Sequence, residues 1–482
     1  MLALSAWTYA SPAYSSPDEP AHVLNAAAVA RGQVLTEQQE TARGAMSVVE
    51  VPSGLATIED YGVCEAQPNC APGASLTGEG GSRRLTYVGR YFPPYYAVLG
   101  LPSLVVPTDA ALYTMRLLNA ALCALLLALA FVHASRVSRW TVVGVLLGLT
   151  PTTLFTAATV NPNGLEISAA AAFWAGLLAL GARAETPTWL LVTTGAAGVT
   201  LAVTRSLGPL WLALIALLVI AIRPRRWLDL ARDRRVQVTA AVVATTAAVA
   251  SLWVLLAGSL RLVGIAPPDT PLSVVVRGVV KRSASRLEQL VEVLGWLDLH
   301  VSRPLTALWL LLVAALCVAA LTIPRHARRA LLPVAACALL IVMLPLLEVA
   351  SYSRIGPSWQ GRYTLPIAVG LPIMAATLAG MRPHRLRLPL AVGAVASVCA
   401  LEVAFLALSL RDYTGLRSPG VPVWEPPVPA PLLVLVCAVG LAALAAALLR
   451  ELRAGRDLAV EALRPRADAR EVSDDPREPA PA

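Results

Sequence analysis

Residues 111–134 read ALYTMRLLNAALCALLLALAFVHA, an apolar run in which Arg116 is the only formally charged side chain. As an α-helix, which rises about 1.5 Å per residue, this run is long enough to cross the ~30 Å hydrocarbon core of a bilayer. Similar runs recur along the 482 residues of the chain, which is 57% hydrophobic and 14% charged, with a mean hydropathy of +0.65. Soluble cores cannot hide that much apolar surface, so the sequence predicts an all-α integral membrane protein.

Residues 1–10 look like the end of a further span, because ten residues cover only about 15 Å, half of a hydrocarbon core. Either an upstream half-helix precedes Met1 or these residues are a stub, and we expect the former. The predicted fold therefore has about 11–12 transmembrane helices, in a partial helix at 1–10 and a polytopic domain at 111–449. The eleven complete candidate spans are Ala111–Ala134, Trp140–Val160, Gly164–Ala182, Thr188–Thr204, Pro209–Ile222, Val236–Val263, Leu305–Ile323, Ala330–Ala350, Thr364–Gly380, Leu388–Leu410 and Ala430–Leu449.

Arginine supplies nearly all of the positive charge, since Lys281 is the only lysine among 39 basic residues and the formal net charge is +9. Short basic loops beside spanning helices mark the cytoplasmic side of a membrane, so the chain is expected in the cytoplasmic membrane with its active face outward. We expect the basic loops to contact membrane lipids and not nucleic acid. The outward segment Arg261–Arg303 runs against this trend because it is basic. The cytoplasmic clusters are Arg136 and Arg139, Arg223 to Arg235, Arg325 to Arg329, Arg382 to Arg387, and the C-terminal tail.

Residues 11–107 form a long first outer loop in this topology. Within it, Asp18–Gln33 has the spacing of a short interfacial helix, whereas Thr36–Leu85 is rich in Gly, Pro and polar residues and is expected to be irregular. Cys64 and Cys70 lie in that irregular part and are a disulfide candidate, with two free thiols as the alternative. Metal binding by this pair is disfavoured, because no matching second pair of ligands accompanies it.

Two other segments differ from the spans. Residues 265–303 are an outer amphipathic segment, in which Val275, Val279 and Leu290 recur at helical spacing, and one surface helix or a broken pair is expected. Residues 450–482 are a charged cytoplasmic tail, rich in Ala and Pro, that is expected to be partly disordered.

The polar residues of the outer side are the candidates for chemistry. Asp18 and Glu19 stand in SPDEPAH, residues 16–22, directly after the partial first span. Either carboxylate could accept a proton from an acceptor hydroxyl, with His22 one turn later as a substrate-binding neighbour. The alternative is helix capping, because acidic residues in a first turn satisfy free backbone N–H groups.

A second group of polar residues begins with NPNGLE, residues 161–166. Turn chemistry alone explains Asn161 and Asn163, whereas a carboxylate such as Glu166 within an apolar span usually faces a cavity or a partner. Arg205 splits an apolar stretch and is assigned to substrate binding, with snorkelling to the membrane surface as the alternative. The two asparagines and Glu166 are assigned supporting roles.

Arg354 and Arg362 lie in an outward loop, where arginine is unexpected. Arg362 stands in QGRY, between Gln360 and Tyr363. A guanidinium can hold a phosphate by two parallel hydrogen bonds, so these four residues are predicted to bind the phosphate of an anionic lipid or substrate.

Trp296 and Asp298 end the amphipathic segment in GWLD, residues 295–298. Interfacial aromatic belts explain part of this pattern, and the same applies to the tyrosine-rich stretch Tyr91–Tyr96. Both stretches could also line a groove for a sugar or a lipid, so Trp296 and Asp298 are assigned supporting roles.

Six motifs together, SPDEPAH, YFPPYY, MRL at 115–117, NPNGLE, GWLD and QGRY, resemble a bacterial family of multi-spanning membrane proteins that is classed as a domain of unknown function. The arrangement is also similar to the C-type membrane glycosyltransferases (GT-C). That second resemblance implies a polyprenyl-phosphate sugar donor, with Asp18 or Glu19 as the base and Arg362 as a contact to the donor phosphate. The nearly absent first span departs from the GT-C pattern and bears on the placement of Asp18.

The alternative functions are a transporter or flippase, in which Glu166, Glu348 and Glu402 would form a polar path, and a scaffold for envelope assembly. Nucleotide-binding GxGxxG and Walker A patterns and the hydrolytic HExxH and GxSxG patterns are absent in useful context. No cofactor and no metal site are predicted. The sequence leaves open a divalent-metal requirement, the sugar, the acceptor and the oligomeric state.

Overall fold

The computed structural model describes residues 1–41, 44–52, 55, 81–106, 109–183, 185–259, 270–323, 325–356, 358–380, 387–415 and 424–454. Most of these residues are helical. In chain order the α-helices are α1 Leu2–Ala10, α2 Glu19–Ala30, α3 Pro94–Leu99, α4 Pro102–Val105, α5 Asp109–Ser135, α6 Arg139–Gly148, α7 Pro151–Ala157, α8 Pro162–Ala182, α9 Thr188–Thr204, α10 Gly208–Ile222, α11 Pro224–Leu230, α12 Arg234–Ala257, α13 Leu272–Lys281, α14 Ser283–Val291, α15 Arg303–Leu321, α16 Leu331–Met343, α17 Leu347–Ile355, α18 Gly361–Ala368, α19 Gly370–Ala379, α20 Arg387–Gly415 and α21 Ala430–Ala454.

Eight helices in the described part of the chain are long and apolar enough to cross a membrane, or up to ten if two bent helix pairs each count as one span. Eight of the eleven predicted spans match single spans. The other three differ: Trp140–Val160 is broken into α6 and α7, bent by 70°, Pro209–Ile222 continues into α11 at 109°, and Thr188–Thr204 is a shorter apolar helix. Proline explains both bends, because Pro151 and Pro224 begin the second helix of each pair and cannot donate a backbone hydrogen bond to the first.

Helix α8 is the centre of the bundle. All of its residues from Pro162 to Ala182 are buried, and it packs against α5 and α9. Its many alanines and glycines let neighbouring helices approach closely, as expected where lipid offers no hydrophobic driving force between helices. At Gly176, an added Cβ would lie 2.3 Å from the hydroxyl of Thr194 on α9, so only glycine fits there. Helix α8 is therefore a rigid support for whatever lies at its ends.

The first outer loop contains a small β-sheet, so the prediction of an irregular Thr36–Leu85 segment is wrong for its described residues. Strands β1 Gln38–Thr41, β2 Gly44–Pro52 and β3 Gly81–Thr86 pair antiparallel in the order β1-β2-β3. The β-branched valines of β2 favour a strand, which the Gly and Pro content of the segment concealed. Cys64 and Cys70 lie outside the described residues.

The described part of the outer amphipathic segment, residues 270–303, contains two helices, α13 and α14, which meet at Arg282. Val275 and Val279 of α13 are buried, as the spacing predicted. The basic residues that contradicted the charge trend are partly explained, because Arg282 and Arg286 both pair with Glu348 of α17. Residues 265–269 and 455–482 lie outside the described part.

Candidate functional site

Asp18 is the N-cap residue of α2, but its side chain makes no capping hydrogen bond. The capping interpretation is therefore wrong for this carboxylate. Oδ1 instead accepts a 2.5 Å hydrogen bond from the Tyr87 hydroxyl, and Oδ2 pairs with the Arg362 guanidinium. The backbone of Asp18 has a φ of 66°, a left-handed conformation that costs a non-glycine residue energy and that here aims the carboxylate away from the helix.

Arg362 lies in the first turn of α18 and is one of the largest fully buried side chains, with 2% of its side chain exposed. Its Nη2 atom reaches Asp18, whereas its Nε and Nη1 atoms are buried with no hydrogen-bond partner among the described residues. Unpaired buried donors are costly, and a guanidinium presents its donors in a fork that matches a phosphate. Two donors of Arg362 are therefore unused by the described residues.

The turn that carries Arg362 is held by two side chains from neighbouring elements. Glu348 of α17 accepts a 2.8 Å hydrogen bond from the backbone N–H of Trp359, and Gln289 of α14 accepts one of 2.7 Å from the N–H of Gly361. The backbones approach closely at Gly361, where an added Cβ would lie 2.5 Å from the Cβ of Gln289. The surface helices thus position the guanidinium.

Arg205, between α9 and α10, points into the protein and so does not snorkel, because only 13% of its side chain is exposed. Its Nη1 donates to the Asn163 side chain at 2.5 Å and lies 3.5 Å from a carboxylate oxygen of Glu166. Its guanidinium also lies 4.7 Å from the ring centre of Tyr363, and that of Arg362 lies 5.2 Å from the same ring. Tyr363 therefore links the two arginines through cation–π contacts.

Glu19 is committed to a different partner. Its carboxylate is fully buried and forms a two-pronged ion pair with Arg116, with Nε–Oε1 and Nη2–Oε2 distances of 2.8 and 2.6 Å. The backbone N–H of Val160 adds a hydrogen bond of 2.8 Å to the same carboxylate. Of the two predicted bases, only Asp18 is open to a substrate, since 22% of its side chain is exposed. Glu19 instead anchors the start of α2.

Arg116 belongs to the cluster, although sequence reasoning assigned it no role. It also donates to the backbone carbonyls of Thr8, Ser11 and Pro12, so it fixes the chain that leads to Asp18. The signal was present in the sequence, because a charge within an apolar run is expensive and needs a partner.

Tyrosines and His22 line the other side of Asp18. The His22 Nδ1 atom lies 2.9 Å from the Tyr96 hydroxyl, and its ring is near Tyr91. Burial lowers the pKa of His22 from 6.5 to about 3, so the imidazole is neutral at physiological pH and supplies no positive charge for a phosphate. Burial also raises the pKa of Tyr91 to about 12.

Each carboxylate of the cluster lies beside one guanidinium. Burial opposes ionisation of Asp18, but Arg362 and the other positive charge nearby outweigh it and hold the pKa of Asp18 below its usual 3.8. Asp18 is therefore ionised while it is paired. The three pairs are Asp18–Arg362, Glu19–Arg116 and Glu166–Arg205.

The remaining predicted residues divide into those inside and those outside this cluster. Asn161 caps α8 and donates a 3.0 Å hydrogen bond to the carbonyl of Pro17, which ties the Asp18 turn to the bundle. The side-chain oxygen of Gln360 is buried without a partner among the described residues.

Trp296 donates to the carbonyl of Tyr14 at 3.2 Å and so ties the outer segment to the chain before Asp18. Asp298 is not brought to the cluster, because it interacts with backbone N–H groups of its own turn. Burial raises the pKa of its carboxyl. The Arg354 side chain lies outside the described part of the structure. The described residues contain no group of three or more His, Cys, Asp or Glu side chains that could hold a metal ion.

Residues 1–371 match the family model DUF2142, whose description is a predicted membrane protein. The chain belongs to this family. The match covers the whole cluster, including Asp18, Arg116, Arg205 and Arg362, and confirms the family resemblance inferred from the sequence. This DUF2142 chain is therefore a multi-pass membrane protein.

Two solved structures are similar to this DUF2142 protein. One is ArnT from Cupriavidus metallidurans bound to undecaprenyl phosphate, at 17% identity and a TM-score of 0.45, with 95% of this chain and 73% of that chain covered. The other is the same ArnT in the apo state, at 16% identity and a TM-score of 0.39, with 77% and 64% covered. None of the curated proteins matches the chain significantly.

Proposed function

We propose that this protein is a membrane glycosyltransferase, which moves a sugar from a polyprenyl-phosphate donor to an envelope acceptor on the outer face of the cytoplasmic membrane. The observation that carries the proposal is the Asp18–Arg362 pair, a partly exposed carboxylate beside a buried guanidinium with unused donors. The donor class follows from the similarity of the chain's arrangement, an acidic pair after the first span and a long first outer loop, to GT-C enzymes.

The position of the cluster suits a lipid-anchored substrate. Helix α8 and the helix pair α18–α19 both begin at the cluster and are apolar enough to cross a membrane. Polar side chains at the ends of spanning helices lie at the depth of the lipid headgroups, where the phosphate of a polyprenyl lipid also lies. Such a donor needs no nucleotide site, and its chain can remain in the bilayer.

The chemistry is a displacement at the anomeric carbon of the sugar. The acceptor hydroxyl oxygen forms the new bond to this carbon, and the bond from the carbon to the phosphate oxygen breaks, leaving polyprenyl phosphate with the electron pair. Asp18 takes the proton of the hydroxyl, and the donors of Arg362 stabilise the charge that develops on the leaving phosphate. Each residue then acts at one end of the transferring sugar.

The ion pair also favours an order of events. In the absence of a donor, Arg362 holds the pKa of Asp18 below its usual value, so Asp18 is a weak base. A donor phosphate that binds Arg362 adds a negative charge near Asp18, which raises the pKa of the carboxyl and makes it a better proton acceptor. Base strength then rises only when the donor is in place.

The transport alternative loses two of its three groups. Glu166 pairs with Arg205, and Glu348 pairs with Arg282 and Arg286. Glu402 is buried in α20, and both of its carboxylate oxygens are without a partner among the described residues. One isolated carboxylate does not make a path across the membrane, so we favour transfer.

Release of free polyprenyl phosphate from a panel of polyprenyl-phosphate sugars tests this function, with the protein in lipid and an envelope extract as the source of acceptor. Wild type should release polyprenyl phosphate, and Asp18→Asn and Arg362→Gln should each slow release by at least about 100-fold. Asp412→Asn is the matched control, because Asp412 also pairs with an arginine, Arg411, and its side chain is 21% exposed, much like that of Asp18. Loss of turnover in the control, or full turnover in Asp18→Asn, would contradict the proposal.

A further inference from the structure

A groove lies at the opposite end of the bundle from Asp18. Its apolar wall is formed by Leu178 of α8, Val219 and Ile222 of α10, and Met374 and Leu378 of α19. Helix α8 starts at the Asp18 cluster and runs for 21 residues, about 30 Å, to the groove. The groove therefore opens near the other surface of the membrane, which the arginine clusters mark as cytoplasmic.

One arginine lines this groove, and two more directly adjoin lining residues in the chain. Arg223 is one of the lining residues, and its Nη1 donates to the carbonyl of Gly181 at 2.8 Å, which leaves its other nitrogens for a ligand. Arg136 and Arg183 directly adjoin the lining residues Val137 and Ala182. The Nε atoms of both arginines are buried without a hydrogen-bond partner among the described residues.

Two of the nearby carboxylates are paired with other arginines. Asp229 pairs with Arg232, and Asp233 pairs with Arg235. Glu185 is exposed to solvent. The apolar groove thus carries an excess of positive charge on its rim, and the half-buried Trp227 lies in its lining, at the depth where tryptophan meets headgroups.

We propose that this groove binds an anionic phospholipid, with an acyl chain on the apolar wall and the phosphate on Arg223. Contact between the apolar wall and an acyl chain would not by itself distinguish one lipid headgroup from another. Several arginines at one rim favour a lipid with net negative charge, because the ammonium of a zwitterionic lipid would meet like charge. The site is separate from the Asp18 cluster and does not rest on the proposed transferase activity.

Native mass spectrometry of the delipidated full chain, titrated with phosphatidylglycerol or phosphatidylcholine, tests the proposal. Wild type should bind phosphatidylglycerol more tightly, and Arg223→Gln and Arg183→Gln should each weaken that binding about fivefold, since one interfacial arginine contributes about 1 kcal/mol. Arg232→Gln, an exposed arginine on the same side, is the matched control and should not change binding. Arg223→Lys keeps the charge and should retain most of the preference, which guards against a folding defect in the glutamine variant.

Three results would overturn the proposal. Equal affinity for the two lipids, or equal weakening in the Arg232→Gln control, would show ordinary lipid contact with no selective site. Inorganic phosphate is the second probe. If phosphate alone displaced phosphatidylglycerol at similar concentrations, the groove would be a free-anion site and the lipid assignment would be wrong.

Discussion

Glu19→Gln separates a structural role from a catalytic one in the SPDEPAH motif. The fully buried Glu19 carboxylate accepts hydrogen bonds from two nitrogens of Arg116, at 2.8 and 2.6 Å, and from the N–H of Val160, at 2.8 Å. Removing one charge of a buried pair leaves the other uncompensated and typically costs about 3–5 kcal/mol. Arg116 keeps its backbone carbonyl partners, so we expect about 3 kcal/mol, the lower end of that range.

The assay is chemical unfolding of the purified protein at a fixed lipid and detergent composition. Glu37→Gln is the matched control, because Glu37 pairs with Arg83 at 2.9 Å but the two side chains are 73% and 60% exposed. Exposed pairs contribute at most about 1 kcal/mol, so the control should unfold close to wild type. In the Glu19→Gln and Arg116→Gln double variant, the two losses should not add, because both break the same pair.

The opposite result would refute this reasoning. If Glu19→Gln were as stable as wild type but had lost turnover, then Glu19 would be the base, and its pairing with Arg116 would have to open during the reaction. A stable and active variant would show that the pair contributes little to the fold.

Three further predictions follow from the contacts around Arg362 and Asp18. Gln289→Ala removes a 2.7 Å hydrogen bond to Gly361, worth about 1 kcal/mol, and should raise the KM for the donor about fivefold with kcat unchanged in steady-state kinetics. Gly361→Ala places a Cβ 2.5 Å from the Cβ of Gln289 and should cost about 1–3 kcal/mol in an unfolding measurement. The pKa of His22 falls from 6.5 to about 3 on folding, so the unfolded chain binds a proton that the folded chain does not. The free energy of unfolding should therefore fall as pH drops below about 6.5, by up to about 1.4 kcal/mol per pH unit. In His22→Asn this free energy should depend less on pH, from about 6.5 down to the lower pH at which Asp18 takes up its proton.

The membrane character and the position of most spans could be predicted from the sequence, because hydropathy is a local property. Eight predicted spans correspond to single spans, whereas the bends at Pro151 and Pro224 were not predicted. Proline marks such breaks, but the direction of each bend depends on tertiary packing. Strand β2 was missed because the Gly and Pro content of its segment outweighed its valines.

Several side chains of the cluster were predicted from the sequence, but Arg116 and the pairings were not. Asp18 and Arg362 are separated by 344 positions, and no local pattern indicates that they meet. Glu19 and Asp18 are equivalent in the sequence, and only the buried partner Arg116 distinguishes them. Gln289 gave no signal at all, because its role is to accept a hydrogen bond from a distant backbone N–H.

Equilibrium binding of polyprenyl phosphate to Asp18→Asn and Arg362→Gln tests the central claim most directly. Because Asp18 and the bound phosphate carry like charges near one guanidinium, Asp18→Asn should bind polyprenyl phosphate at least about tenfold more tightly than wild type while losing turnover. Arg362→Gln should bind it at least about tenfold more weakly. Weaker binding in both variants, or no change in either, would contradict the assignment of Arg362 as the phosphate contact and Asp18 as the base beside it.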